Sequence, residues 1–173
     1  LLLATNDGLF ATKIQRDIRR MRFLQNKRVP SDMESLGNNR VMSLLRSKDG
    51  KIYVATYGGG LNVVSSGNLF SDKIRFRAYT MDNGMSTDIV LALYEDRKGL
   101  IWAVSEHGLM SFNPRNATFT NYIEGTFTKG FSFSECPPLG INTGKTTLFG
   151  TTQGVLAVDE NALGKSRYVP KIV

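Results

Sequence analysis

Glu95, Asp96, Glu106 and His107 lie in one short stretch with the only Trp of the sequence, Trp102, and its only His. Carboxylates near an imidazole are the material of general acid–base catalysis. The spacing argues against that use. Glu95 and Asp96 are adjacent, and neighbouring residues on a strand point to opposite faces, so they cannot act as a paired acid and base across one bond. One His with no other metal-ligand cluster argues equally against a zinc site or a Ser–His–Asp triad. "GINTGKTT" (140–147) has the look of a phosphate loop. It has three residues between Gly140 and Gly144 where four are needed, and it precedes a strand rather than a helix. No catalytic residue, metal ligand or cofactor is assigned.

Stepping outward, the stretch is one copy of a repeat. "LLLATNDGL" (1–9), "IYVATYGGGL" (52–61), "IWAVSEHGL" (101–109) and "LFGTTQGV" (148–155) share an apolar strand, a Thr or Ser, turn residues, and a Gly before an aliphatic residue. The shared glycines are Gly8, Gly60, Gly108 and Gly154, at spacings of 52, 48 and 46. Upstream, "VMSLLRSKDGK" (41–51) matches "IVLALYEDRKGL" (89–100), each an apolar run entering an Asp- and Gly-containing turn. Asp49–Gly50 and Asp96 with Gly99 build these turns, because Gly supplies positive φ and Asp bonds its own backbone. In 89–94, alternation sends Ile89, Leu91 and Leu93 one way and Val90, Ala92 and Tyr94 the other, the pattern of a strand buried on both faces. Trp102 occupies the place of Tyr53 and is expected in the core between sheets.

A four-stranded antiparallel unit recurring every 45–50 residues is the signature of a β-propeller blade, with strands A to D in order. The predicted fold is all-β. A partial first blade with strands B–D spans 1–38, and a second spans 39–87. The third spans 88–130, a fourth and last 131–163, and a linker toward a following domain 164–173. Three blades and a fraction do not close a ring comfortably, so the chain reads as a piece of a larger propeller whose cut faces are apolar.

The repeats "VMSLLRSKDGKIYVATYGGGLNVV" and "VLALYEDRKGLIWAVSEHGLMSFNP", with the ending "GKTTLFGTTQGVLAVDENALGKSRYVPKIV", resemble two-component regulator propeller repeats. The resemblance covers essentially the whole chain; Asn142–Thr143–Gly144–Lys145 departs from it by lacking the Asp of the turn. It implies the periplasmic sensor region of a Bacteroides-type hybrid two-component system, without catalysis in this segment. It also implies an oligosaccharide ligand released from glycans and signalling through the membrane to a histidine kinase. The kinase motifs are not in these 173 residues, and the full-length protein could itself carry them. The remaining partners expected are other blades or modules of the same protein and a second copy of it. Membrane contact would come only through other parts of the chain.

Composition is consistent with that frame. The hydrophobic share of 41% is globular, and no run approaches the roughly 18 apolar residues of a spanning helix. A single cysteine, Cys136, excludes an internal disulfide and a thiolate metal cluster. The opening "LLLATNDGLF" has neither Met nor a basic leader and reads as a chain entered mid-strand.

Ligand contacts are expected on the B–C turns, where variable residues sit on a repeated scaffold: Asn6, Asp7, Tyr57, Glu106, His107 and Gln153. They share a rim with the D–A loops 27–39, 80–88 and 123–130. The net charge of +7 is concentrated in Lys13, Arg16, Arg19, Arg20, Arg22, Lys27 and Arg28, opposed within 13–28 by Asp17 alone. One basic strip is not a general nucleic-acid surface. Placed on strands C and D of the first blade, it would protect an edge. Alternatively Arg19, Arg20 and Arg22 would bind an anionic glycan through guanidinium forks. Two other functions stay open: a protein-interaction propeller without a small ligand, and a sialidase- or lyase-type carbohydrate-active propeller.

Overall fold

A computed structural model describes residues 1–122, 132–141 and 145–159. Loop 123–130, the turn at Asn142–Gly144 and the segment 164–173 lie outside these residues. Among the described residues the strands form four antiparallel sheets in chain order, each a meander of neighbours. The first contains β1 (Leu2–Thr5), β2 (Gly8–Thr12) and β3 (Phe23–Asn26). The second contains β4 (Val41–Arg46), β5 (Ile52–Thr56), β6 (Leu61–Val64) and β7 (Phe76–Tyr79). The third contains β8 (Ala92–Glu95), β9 (Ile101–Ser105), β10 (Gly108–Asn113) and β11 (Thr118–Tyr122). The fourth contains β12 (Leu139–Ile141), β13 (Thr146–Thr151) and β14 (Gly154–Asp159). This is the all-β propeller architecture that the repeat predicts.

Three apolar layers lie between successive sheets, and the period-2 alternation of each strand decides which layer a side chain enters. Val54 joins Leu9, Ala11 and Phe76 in the layer between the first and second sheets. Its neighbours Tyr53 and Ala55 turn the other way, toward Leu93, Ile101, Ala103 and Phe112 of the third sheet. In β9 the alternation repeats: Ile101 and Ala103 face the second sheet, whereas Trp102 and Val104 face Phe149 and Val158 of the fourth. Phe112 sits 4.8 Å from Tyr79 and 4.9 Å from Phe119, centroid to centroid, within the range where tilted rings attract. The middle strands β5 and β9 are therefore apolar on both faces, because the second and third sheets each lie between two others.

Buried amides pin the sheets together across these layers. Asn26 donates from Nδ2 to Ser71 O (2.8 Å) while its Oδ1 accepts from Ile74 N (2.8 Å), joining the first sheet to the second. A buried amide whose donor and acceptor are both engaged is a positional constraint, since shifting either sheet would strand polar atoms away from water.

Two expectations are corrected. Thr12 ends β2, and residues 13–22 run as a loop containing one 3-10 turn at Ile18–Arg20. The basic strip therefore flanks strand D and largely does not lie on it. Ile14 and Ile18 are 76% and 77% exposed, so neither reaches the core. The second correction concerns Val90, which packs with Leu93 toward the second sheet rather than with Ala92 and Tyr94. Its amide donates to Thr56 O of the second sheet (3.0 Å), and Leu91 N donates to Val104 O of its own (2.8 Å). The chain changes hydrogen-bonding partner between these two residues, which breaks the alternation.

Candidate functional site: the B–C rim

Alternating meanders put the B–C turns and D–A loops at one end of the sheets and the A–B and C–D connections at the other. At the B–C end the repeated Thr or Ser has a definite role. Thr5, Thr56, Ser105 and Thr151 each donate a hydroxyl hydrogen bond across the turn, to the carbonyls of Gly8 (2.8 Å), Gly60 (3.0 Å), Gly108 (2.8 Å) and Gly154 (2.9 Å). The hydroxyl closes the turn with a side-chain bond, which leaves the intervening residues free to vary. That is the physical reason a fixed frame carries "ND", "YGG", "EH" and "TQ" at one place.

The D–A loops dock on the preceding blade's turn. Gly8 N donates to Asn39 O (2.6 Å), and Gly58 N and Gly60 N both donate to Asp88 O (3.1 and 2.9 Å). Phe133 N donates to Glu106 O (3.0 Å). Asn62, fully buried, accepts from Gly37 N (2.8 Å) and donates to Gly59 O (3.0 Å), sewing loop 27–40 to the second B–C turn. The sequence reading missed Asn62 and Asn26. A polar amide inside an otherwise apolar strand, as in "LNVV", was the available signal.

Each expected ligand residue has a definite place. Glu106 and His107 are exposed in the β9–β10 turn and line a cavity of about 360 Å³ together with Ser86, Thr87, Ile89 and Ser105. Here two expected residues of one turn share a cavity with residues of a D–A loop. Asn6 and Asp7 occupy the β1–β2 turn, where the Asp7 carboxylate is already engaged by Lys27 Nζ (2.6 Å) and Gln25 Nε2 (2.9 Å). These bonds, Lys27 first, hold its carboxyl below the usual aspartate value. Tyr57 lies beneath the Arg40 guanidinium, 4.3 Å from ring centroid to Cζ, a cation–π contact. Gln153 is exposed in the β13–β14 turn, its amide donating to Thr151 Oγ1 (3.2 Å). Arg19, Arg20 and Arg22 sit in the β2–β3 connection, at the end opposite these turns. Arg20 there pairs with Asp17 (3.6 Å).

The structural turns behave as such. Asp96, only 1% exposed, accepts from Lys98 N and Leu100 N (both 2.8 Å) through Oδ1, and from Trp102 Nε1 (3.1 Å) through Oδ2. Trp102 stacks on Tyr122 at 5.3 Å and meets Phe149 edge-on. Neither residue is available for chemistry, since every polar atom of the pair has a partner inside the fold. Among the described residues no group of His, Cys, Asp and Glu could hold a metal ion. None of the described helices is long and apolar enough to cross a membrane.

With the blade geometry in view, the comparison with known proteins is direct. Residues 35–58, from the D–A loop through strand B of the second blade, match the two-component regulator propeller family. The chain carries a two-component regulator propeller repeat. No curated protein sequence matches the chain. Among solved structures, the chain is similar to the extracellular domain of the hybrid two-component system BT3049 from B. thetaiotaomicron. The TM-score is 0.60 at 16% identity, covering 92% of this chain and 26% of that one. The corresponding domain of BT4673 from the same organism gives 0.50 at 17% identity, covering 93% and 28%. Virginiamycin B lyase from Staphylococcus aureus, solved with quinupristin, also gives 0.50, at 12% identity with 94% and 59% covered. At these identities the likeness is one of fold. The chain spans about a quarter of the two B. thetaiotaomicron domains.

Proposed function

We propose that this regulator propeller belongs to the periplasmic ligand-sensing region of a hybrid two-component receptor that detects glycan-derived oligosaccharides and regulates polysaccharide use. The observation that carries the reading is the cavity beside Glu106 and His107. Its walls combine a carboxylate, an imidazole and the hydroxyls of Ser86, Thr87 and Ser105 with the aliphatic face of Ile89. Sugars need that mixture: directed donors and acceptors for their hydroxyls, and an apolar surface for their C–H faces. The segment binds without turnover, and the receptor's output comes from ligand shifting the packing between blades or protomers. Asn6, Asp7, Tyr57 and Gln153 offer further contacts on the same rim.

The test is a thermal-shift screen of neutral and acidic oligosaccharides, with product analysis on every hit. Stabilisation by an oligosaccharide that is recovered intact, and its loss in Glu106→Ala/His107→Ala, supports the reading; product formation overturns it. A second reading, a protein-interaction propeller, is favoured by one feature, the exposed Ile14 and Ile18 alternating with arginines in the β2–β3 loop. Retained binding of a partner protein in the Glu106→Ala/His107→Ala variant, with no oligosaccharide hit, selects it.

A further inference from the structure

At the opposite end of the sheets, the A–B turns of the second and third blades enclose another cavity of about 360 Å³. It opens into a groove of about 480 Å³, sharing Lys51, Tyr53, Pro114 and Arg115 with it. The charged lining of the two is lopsided. Lys48, Lys51, Arg77, Arg97, Lys98 and Arg115 face only Asp49 and Glu95. Both acids are already engaged within the protein. Asp49 bonds the Ser47 hydroxyl and pairs with Lys51 Nζ (3.1 Å), and Glu95 Oε2 accepts from Lys48 N (2.8 Å). Lys48 Nζ in turn donates to Asp96 O (2.8 Å). Among the described residues the guanidinium groups of Arg97 and Arg115 have neither an ion pair nor a hydrogen bond, while Arg77 lies over the Tyr79 ring at 5.1 Å.

These six cations are exposed, but gathered along one concave seam they repel one another, and an anion placed among them meets several at once. Arginine presents a planar fork that fits carboxylate and sulfate oxygens two at a time. Tyr53 and Ile101 add apolar wall beside the forks. We propose that this seam is a binding site for an oligoanionic small molecule, with its carboxylate or sulfate groups held by Arg97 and Arg115 and flanked by Lys48 and Lys51. Arg97 and Arg115 come from two connections of the third blade, and Lys48 and Lys51 from the second. Such a ligand therefore clamps one blade to the next. The site is independent of the B–C rim and does not rest on an oligosaccharide binding there.

Isothermal titration of the full chain with sucrose octasulfate, against sucrose as the neutral control, tests this directly. Binding of the octasulfate and not of sucrose is expected, weakened at least tenfold in Arg97→Ala/Arg115→Ala. It should stay within twofold of wild type in Arg19→Ala/Arg20→Ala/Arg22→Ala and in Glu106→Ala/His107→Ala. Arg97→Lys/Arg115→Lys, which keeps the charge and removes the forks, should be intermediate. Circular dichroism melts confirm that the variants fold. No binding of the octasulfate overturns the proposal, and so does an equal loss in the two arginine-to-alanine variants, which marks diffuse attraction to a basic surface.

Discussion

The A–B turns of the second and third blades have the same backbone and different side-chain supports. Ser47 N donates to Lys51 O (2.9 Å) as Asp96 N donates to Leu100 O (3.0 Å), and Gly50 and Gly99 take φ of +85° and +79°. Aligned on those glycines, Ser47 stands where Asp96 stands, and Asp49 corresponds to Lys98. The third blade holds its turn with a buried carboxylate that also fixes the Trp102 indole. The second has a Tyr in place of the Trp and a hydroxyl in place of the carboxylate. That hydroxyl bonds Lys51 O (3.1 Å) and also Asp49, whose Oδ1 accepts from Lys51 N (3.2 Å). One carboxylate acts from inside the fold, the other from its wet surface. The comparison teaches that the turn's geometry belongs to the backbone and its glycine, while its stability depends on where the acid sits.

The largest expected effect lies in the buried version. Asp96→Ala removes two backbone acceptor contacts and strands an indole N–H, which should cost about 3 kcal/mol in urea unfolding. A cost below that of Ser47→Ala would break the comparison. Next come the glycines, where a Cβ meets open space at both sites and only the positive φ resists it. Gly50→Ala and Gly99→Ala should each cost about 1–2 kcal/mol and match one another; unequal losses would show that the backbones are not equivalent. Ser47→Ala should cost about 1 kcal/mol, measured the same way.

Asp49→Asn is the smallest, about 0.5 kcal/mol after allowance for solvent screening. Its acid dependence sharpens the contrast. The Ser47 hydroxyl bond, against a lesser opposing effect of burial, holds the Asp49 carboxyl below the usual aspartate value. A depressed folded-state value gives stability that is present above the unfolded value, about 3.9, and lost as pH falls through the folded one. The difference between wild type and Asp49→Asn should therefore be constant at neutral pH and vanish on acidification below about pH 4.

Much of the fold was legible because its determinants are local and repeated. The glycines at 8, 60, 108 and 154 mark the B–C turns, and doubly apolar runs such as "IYVAT" can settle only between two sheets. What escaped the reading depended on partners distant in sequence. Both turns carry an Asp and a Gly in the sequence, but counting back from the glycine pairs Asp96 with Ser47 and not with Asp49. The stretch 13–22 was expected on strands C and D of the first blade and runs instead mostly as a loop. Val90 departs from alternation because its amide is claimed by Thr56 of another blade. At the site, the sequence pointed to Glu106 and His107, and the D–A loop carrying Ser86 and Thr87 was recognised as sharing their rim. That those four line one cavity depends on the β7–β8 connection folding back over its predecessor.

The bonds from Gly8 to Asn39, from Gly58 and Gly60 to Asp88, and from Phe133 to Glu106 have a consequence for how occupancy is communicated. Among the described residues these bonds join each blade to the next one along, so the array behaves as a linear chain of nearest-neighbour couplings. The carbonyl of Glu106 is shared between a rim position and the entry to the following blade. In the proposed receptor, a molecule seated against Glu106 would tighten or loosen the Phe133 amide without any displacement travelling through the core. The rate at which that one amide exchanges its hydrogen with water would then gauge whether the rim is filled.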